Sequence, residues 1–449
     1  MTLRLLHYAD LEAAYDVPER VGRLATAIRK RRDDRTVVTG GGDDTGPCVV
    51  DFESDGGHAA TFLDAVEPDV ETFGNHEFDG PTESARRLAG ETPPTWLTAN
   101  LSEADGRRFA AEATEPWTVV DTAAGRVGLF AVTTPVLGDI KPDLELDIRD
   151  PVAAATEAVD ALRDADAETV VCVSHCGDDE PIARAVDVDA VLGGHVHEPR
   201  DEVVAGTRLV RPGAAGEHLV EVRIDDGETE TRFHDVTDHE PDPALTGELR
   251  GQLDALGLDE VVTHVDGSVD RRAREPSPVG TFVAESFRRA GDADVGLVNS
   301  RTMRDCGVPL SGAVRRVDLH SLVPFPTGLV TVELDGDELR SVVREAGEEH
   351  RDQDGARWNG QFAGLDVVWD ADRDVPAELS VRGEPLADDA TYRLTTIPYL
   401  VVEDIEFPTL TEDQVVAEPG TIHEAMVAHA ERAGIPTEPV EWFQRVDGP

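Results

Sequence analysis

The chain has 449 residues, 40% of them hydrophobic, with 92 acidic residues against 41 basic and a formal net charge of −51. That length exceeds one ordinary core and implies two or three domains, and the apolar content is enough to build them, so disorder is not the expectation despite the charge. The negative field excludes nucleic-acid polymers and anionic membranes as partners at ordinary salt, because binding either needs a basic surface.

Strand and helix signals alternate through residue 230. Residues 3–8 read as a strand, and 18–31 as a helix with Val21, Leu24, Ala25 and Ile28 at helical spacing. A strand at 36–39 runs into Gly40-Gly41-Gly42, a helix follows at 58–66, and a short strand at 70–73 ends in Gly74. Next come a strand at 126–133, an alanine-rich helix at 151–164, buried strands at 169–174 and 190–192, and closing strands at 209–210 and 219–224. Such alternation predicts a layered α/β domain with its chemistry on loops at one end of the sheet. The acidic, proline-bearing stretch 235–243 marks a boundary, and 244–256 reads as a helical connector. A second α/β pattern opens near Thr263, with helices at 280–290 and 337–346 and strands at 295–299, 329–334, 365–369 and 392–396. The expected division is a first domain at 1–234, a linker with a helix at 235–262, and a second domain at 263–449.

Lys30 and Lys141 are the two lysines, so 39 of the 41 basic residues are arginines. Acid excess with lysine depletion is the composition expected of a halophilic archaeal protein, in which concentrated salt screens the self-repulsion. Residues 3–6 are too short and too polar for a secretory signal, and no apolar run reaches the ~20 residues of a membrane span. A cytoplasmic location is therefore expected. Cys48, Cys172, Cys176 and Cys306 suggest no disulfide framework and read as buried thiols.

Five loops carry metal-type side chains, each just after an expected strand: Asp10-Leu11-Glu12, Gly41-Gly42-Asp43-Asp44, Gly74-Asn75-His76-Glu77-Phe78-Asp79, Ser174-His175 and Gly193-Gly194-His195-Val196-His197. Alone, each is a cap, a turn or an ordinary histidine. In this order they supply carboxylate, amide and imidazole for two divalent ions, with Mn²⁺, Zn²⁺, Fe and Co²⁺ as candidates.

The set resembles the calcineurin-like metallophosphoesterases, and Leu6-His7 with Asp10 and Asn75-His76-Glu77-Phe78-Asp79 point to the 5′-nucleotidase and UDP-sugar hydrolase branch. The resemblance implies a four-layer α/β/β/α metal domain followed by a second α/β domain for substrate. It implies that Asp43 bridges both ions, that Asp10, Glu12 and His197 complete one site, and that Asn75, His175 and His195 complete the other. His76, oriented by Asp79, is implied to act on the phosphate in the transition state. The family pattern has His where this chain has Glu12; the harder carboxylate favours Mn²⁺ or Mg²⁺ over Zn²⁺ there.

The resemblance runs on through Asn299–Arg304, Val323–Thr327, Gln361–Leu365 and Ile397–Leu400. It implies Phe325 and Tyr399 stacking a base, Asn299 on a base edge, Arg304 and Arg274 on phosphate, and Asp404 on ribose. The family's glycines near Asn299 and after Tyr399 are absent. The function so implied is hydrolysis of a nucleotide phosphoester, first a nucleoside monophosphate. The alternatives are a 2′,3′-cyclic nucleotide, a nucleotide sugar, or, outside the enzymes, a nucleotide sensor with an impaired metal site.

Overall fold

The computed structural model describes residues 2–51, 56–140, 144–273, 275–347, 358–402, 405–438 and 440–446. It divides into two units, Met1–Leu256 and Gly257–Pro449.

In the first unit, strand Leu3–Tyr8 lies between parallel Thr36–Gly40 and antiparallel His218–Asp225, inside a seven-stranded sheet. Val70–Thr72 extends the parallel side. A six-stranded sheet carries Thr169–His175 parallel to Gly125–Thr133 and Ala190–Gly193. Alternate strand residues point to opposite faces, and the two faces have different neighbours. Leu3, Leu5, Val37 and Val70 share one core with Leu129, Ala131, Val171, Val173 and Leu192, so the sheets stack face to face. Phe130, Val132, Val170, Cys172 and Val191 turn outward onto Ala154, Ala155, Ala158 and Leu162 of helix Pro151–Asp164. The first sheet's outer face meets helices Pro18–Arg31 and Gly57–Val66, with Tyr8 packed edge-on against Phe62 at 5.3 Å. These four layers realise the expected architecture, and both sheets are buried on two sides, which explains their near-continuous apolar strands.

Helix Pro243–Ala255, expected as a connector, is built into the first unit. The Asp242 amide donates to the Gly22 carbonyl at 2.9 Å, and a Cβ on Gly22 would lie 2.3 Å from the Thr246 hydroxyl. Asp242 caps the helix, accepting from the amides of Ala244 and Leu245.

The second unit holds a five-stranded sheet centred on Thr391–Thr396, beside Val295–Asn299 and Val330–Asp335, and a four-stranded sheet around Val375–Val381 and Leu365–Asp370. Helices Pro278–Ala290 and Ile422–Ala433 contribute Phe282, Phe287, Ile422 and Met426 to its core. Among the described residues, no helix is long and apolar enough to cross a membrane.

Candidate metal centre

Five strands of the first unit end at the candidate ligands. Leu3–Tyr8, Thr36–Gly40 and Val70–Thr72 run parallel in one sheet and deliver Asp10, Asp43 and Asn75 from their C-terminal ends. Thr169–His175 and Ala190–Gly193 run parallel in the other and deliver His175, His195 and His197. The chain must turn sharply after each strand. Asp10, Glu12, Asp43 and His195 all adopt left-handed backbone, with φ of 54°, 41°, 53° and 73°. Such conformations are costly for non-glycine residues and persist where surrounding bonds fix them. Here the Asp10 amide donates to the Gly42 carbonyl at 3.0 Å, the Ala215 amide to the Asp10 carbonyl at 2.8 Å, and the His195 amide to Asp10 Oδ1 at 2.9 Å.

The donor atoms form adjoining groups. Those of Asp43, His175 and His195 lie within 4.8 Å of one another, as do those of Asp10, Glu12 and His197. Glu12, Asp43 and His76 meet the same limit, which ties the two groups together. His175 Nε2 is 3.0 Å from Asp43 Oδ2, and His197 Nε2 is 3.1 Å from Glu12 Oε1. Glu12 thus joins Asp10 and His197, although it departs from the family pattern. Asn75 is buried in the loop between Gly74 and His76.

Burial raises Asp10, outweighing His175 and His197. Burial works the same way on Asp43, but His175 and His76 overcome it and hold that carboxyl below the usual range. Burial would lower His175; Asp43 reverses this and lifts it to about 10. His195, buried beside His175, is pushed down to about 3. His76 is lifted to about 9 against its burial by Asp79 and Asp43. Its Nδ1 donates to Asp79 Oδ2 at 2.7 Å, fixing which nitrogen faces away from the carboxylate.

The donor set suits divalent cations. His175 donates Nδ1–H to the Gly41 carbonyl at 2.7 Å, which directs Nε2 at Asp43, the usual arrangement of a ligating histidine. The glycines leave the needed room: a Cβ on Gly74 would lie 2.2 Å from Asp43 Oδ1 and 2.6 Å from His175 Nε2, and one on Gly194 would lie 2.9 Å from His175 Nδ1.

Several supporting residues were not singled out from sequence. Glu77 accepts from the amides of Gly74 at 2.6 Å, Asp43 at 3.0 Å and Asp44 at 2.9 Å, and from the Thr45 hydroxyl at 3.1 Å, so it locks the second and third loops together. His7 bridges the two sheets, accepting from the Thr39 hydroxyl at 2.9 Å and donating to the Gly193 carbonyl at 3.1 Å. Burial lowers His7 to about 4, which suits this structural role. Glu71 receives the Tyr8 hydroxyl at 2.8 Å, and its Oε1 would be 1.9 Å from a Cβ on Gly40. The signal for Glu77 lay inside its motif: a carboxylate three residues beyond a glycine turn.

The second unit gathers some of the expected substrate residues. The Arg304 guanidinium lies over the Phe325 ring, 5.4 Å from its centroid. Tyr399 is 45% exposed, and its hydroxyl donates to Glu406 Oε1 at 3.3 Å. Asn299 departs from expectation. It is 1% exposed, its Nδ2 donates to Glu406 Oε2 at 2.9 Å, and its Oδ1 accepts from the Thr302 hydroxyl, so both ends of the amide are engaged inside the fold. Gln361 ties down the loop before helix Pro278–Ala290 by accepting from the Ser277 amide and donating to the carbonyls of Ala273 and Glu275. Arg274 and Asp404 lie outside the described residues.

Residues 259–412 match the 5′-nucleotidase C-terminal domain. These residues and the likenesses that follow support the 5′-nucleotidase family. It is 23% identical over 474 residues to the 5′-nucleotidase of Bos taurus, covering 89% of this chain and 80% of that one. It is 23% identical over 372 residues to an uncharacterized metallophosphoesterase, YunD, of Bacillus subtilis, covering 78% and 79%. The crystal structure of a 5′-nucleotidase precursor from Thermus thermophilus superposes over the full length of both chains with a TM-score of 0.82 at 19% identity, a likeness of fold. These likenesses support a hydrolase acting on phosphoester bonds; the family uses divalent metal ions, and the described residues offer groups that could hold them. Asn299, Arg304, Phe325, Tyr399 and Glu406 all fall within the matched segment.

Proposed function

We propose that the protein removes phosphate from nucleoside 5′-monophosphates with the help of two divalent ions. The observation that carries this reading is the adjacency of the Asp43–His175–His195 and Asp10–Glu12–His197 groups, with His76 beside both. Asp43, Asn75, His175 and His195 would hold one ion; Asp10, Glu12 and His197, sharing Asp43, would hold the other. Three carboxylates among the donors favour Mn²⁺, with Mg²⁺, Zn²⁺, Co²⁺ or Fe as substitutes. When bound, such a pair supplies Lewis-acid polarisation of the phosphoryl group and activation of water.

The chain's own residues do the rest. Asp79 fixes Nδ1 of His76, so Nε2 presents a proton to a phosphoryl or leaving-group oxygen. Glu77 keeps the loops bearing Asp43 and His76 in register. In the second unit, Tyr399 and Phe325 offer flat surfaces for a base, each stack contributing about 1–3 kcal/mol, and Arg304 offers a fork for phosphate.

The test is phosphate release from a panel of nucleoside monophosphates, 2′,3′-cyclic nucleotides and nucleotide sugars, in high KCl, with each metal in turn. High KCl follows from the proposed halophilic, cytoplasmic setting. The reading expects nucleoside monophosphates to be turned over most efficiently, and with Mn²⁺. Preference for a cyclic nucleotide or a nucleotide sugar would overturn the substrate, and nucleotide binding without turnover under any metal would favour a sensor.

A further inference from the structure

Asp179 stands just before the short helix Glu180–Ala185, where an aspartate ordinarily accepts from the helix's first amides. Its side chain makes no such bond and is buried. Oδ1 accepts from the Ser174 hydroxyl at 2.7 Å, and Oδ2 faces Arg211 Nη2 at 3.3 Å. Arg211, also buried, donates to the Gly177 carbonyl as well. These contacts reach both histidine loops. Ser174 precedes His175, and its Oγ accepts from the Cys176 amide at 3.3 Å, so the backbone is held on both sides of that imidazole. The Ser174 carbonyl accepts from the Gly194 amide at 2.8 Å, which ties in the loop of His195. A Cβ on Gly193 would lie 2.7 Å from Asp179 Oδ2, so the carboxylate packs directly against that strand end. As a source of stability the pair is poorly built. Its 3.3 Å contact is long for a charge-assisted bond, and Arg211 Nε is buried with no partner among the described residues. Buried ion pairs often add nothing over apolar side chains of similar size, whereas groups behind a metal ligand set its orientation and affinity.

We propose that Asp179 and Arg211 are positioning residues that hold His175 and His195 ready for one divalent ion. The inference rests on the two-ion reading and adds which of the two ions depends on the pair. Loops fixed beforehand spare the ion the cost of ordering them, so the effect falls on affinity at that site. The other ion draws Asp10 and Glu12 from the loop after strand Leu3–Tyr8, and only His197 from the side that the pair holds. It therefore depends on the pair less.

Asp179→Ala combined with Arg211→Met removes both charges together and leaves no uncompensated charge in the interior. Chelator-stripped wild type and double variant are titrated with Mn²⁺ in high KCl, and bound ion, phosphate release and melting temperature are followed side by side. The wild type should bind two ions. In the variant one ion should bind about 10–100-fold more weakly and the other nearly as before, with phosphate release recovering as Mn²⁺ is raised. His175→Ala should weaken the same ion, so adding it to the double variant should cost less than it does in the wild type. Ser174→Ala removes one hydroxyl and little volume. It should weaken that ion by about fivefold, and it decides the matter if the double variant does not fold. Wild-type affinity at both sites in these variants would overturn the proposal. Equal weakening of both ions with a lowered melting temperature would also overturn it, by making the pair a support of the fold alone. Fewer than two ions on the wild type would instead overturn the underlying two-ion reading, before any variant is compared.

Discussion

His76 and Glu12 are the residues on which the chemistry can be tested singly. His76 bonds Asp79 through Nδ1, and its proposed role is on the phosphate. His76→Asn is therefore expected to keep both ions, leave KM nearly unchanged and lower kcat by about 10²–10⁴-fold. Kinetics paired with metal analysis reads this, and loss of an ion would mean that His76 is a ligand. Glu12 stands 3.1 Å from His197. Glu12→His removes a negative, hard donor, so the metal optimum should move from Mn²⁺ towards Zn²⁺ or Co²⁺. Metal-dependent activity profiles check it; an unchanged profile would leave Glu12 as a turn residue.

Among the elements, the second and third loops depend on Glu77, whose four partners are all donors. An amide cannot replace a carboxylate there without loss, because its NH2 would face at least one backbone N–H in either orientation. Glu77→Gln should therefore weaken metal binding by about 10–100-fold, the usual effect of losing such support. Metal titration measures the loss, and wild-type affinity would contradict the clamp. The strand-end loops were legible in sequence because their His, Asp and Asn side chains follow directly on buried apolar strands, and the structure brings several of them together. Helix Pro18–Arg31 was legible to the residue because Pro18 starts it and its apolar spacing is regular. Asn299 was not legible. Whether a carboxamide faces a ligand or the interior is decided here by Glu406, 107 positions away, and no local pattern carries that. Strand Glu228–Asp235 escaped notice because its charged, alternating sequence reads as loop until His218–Asp225 pairs with it. The helix at Pro243–Ala255 was visible, but its packing on Gly22 was not, since that contact joins residues more than 200 positions apart.

At the scale of the whole chain, the charge of −51 sets the conditions of every experiment. Unscreened, it destabilises the compact state by self-repulsion, and salt shortens the range of that repulsion to about 3 Å at 1 M. Raising KCl from about 0.1 M to above about 1 M should therefore raise the melting temperature by about 2 °C or more, the shift expected from at least 1 kcal/mol in a unit of this size. A flat or falling melting temperature in thermal denaturation would show that repulsion is not limiting. The 5′-nucleotidase C-terminal match and the metal-type loops occupy different units of the chain, and their joint presence underlies the nucleotide reading. Its central claim is a two-ion phosphoesterase. The most direct measurement is phosphate release from nucleoside monophosphates by chelator-stripped protein titrated with Mn²⁺ in high KCl. The account predicts negligible release without Mn²⁺ and a rise that saturates at two ions per chain. Full activity in the stripped protein, or saturation at one ion, would contradict it.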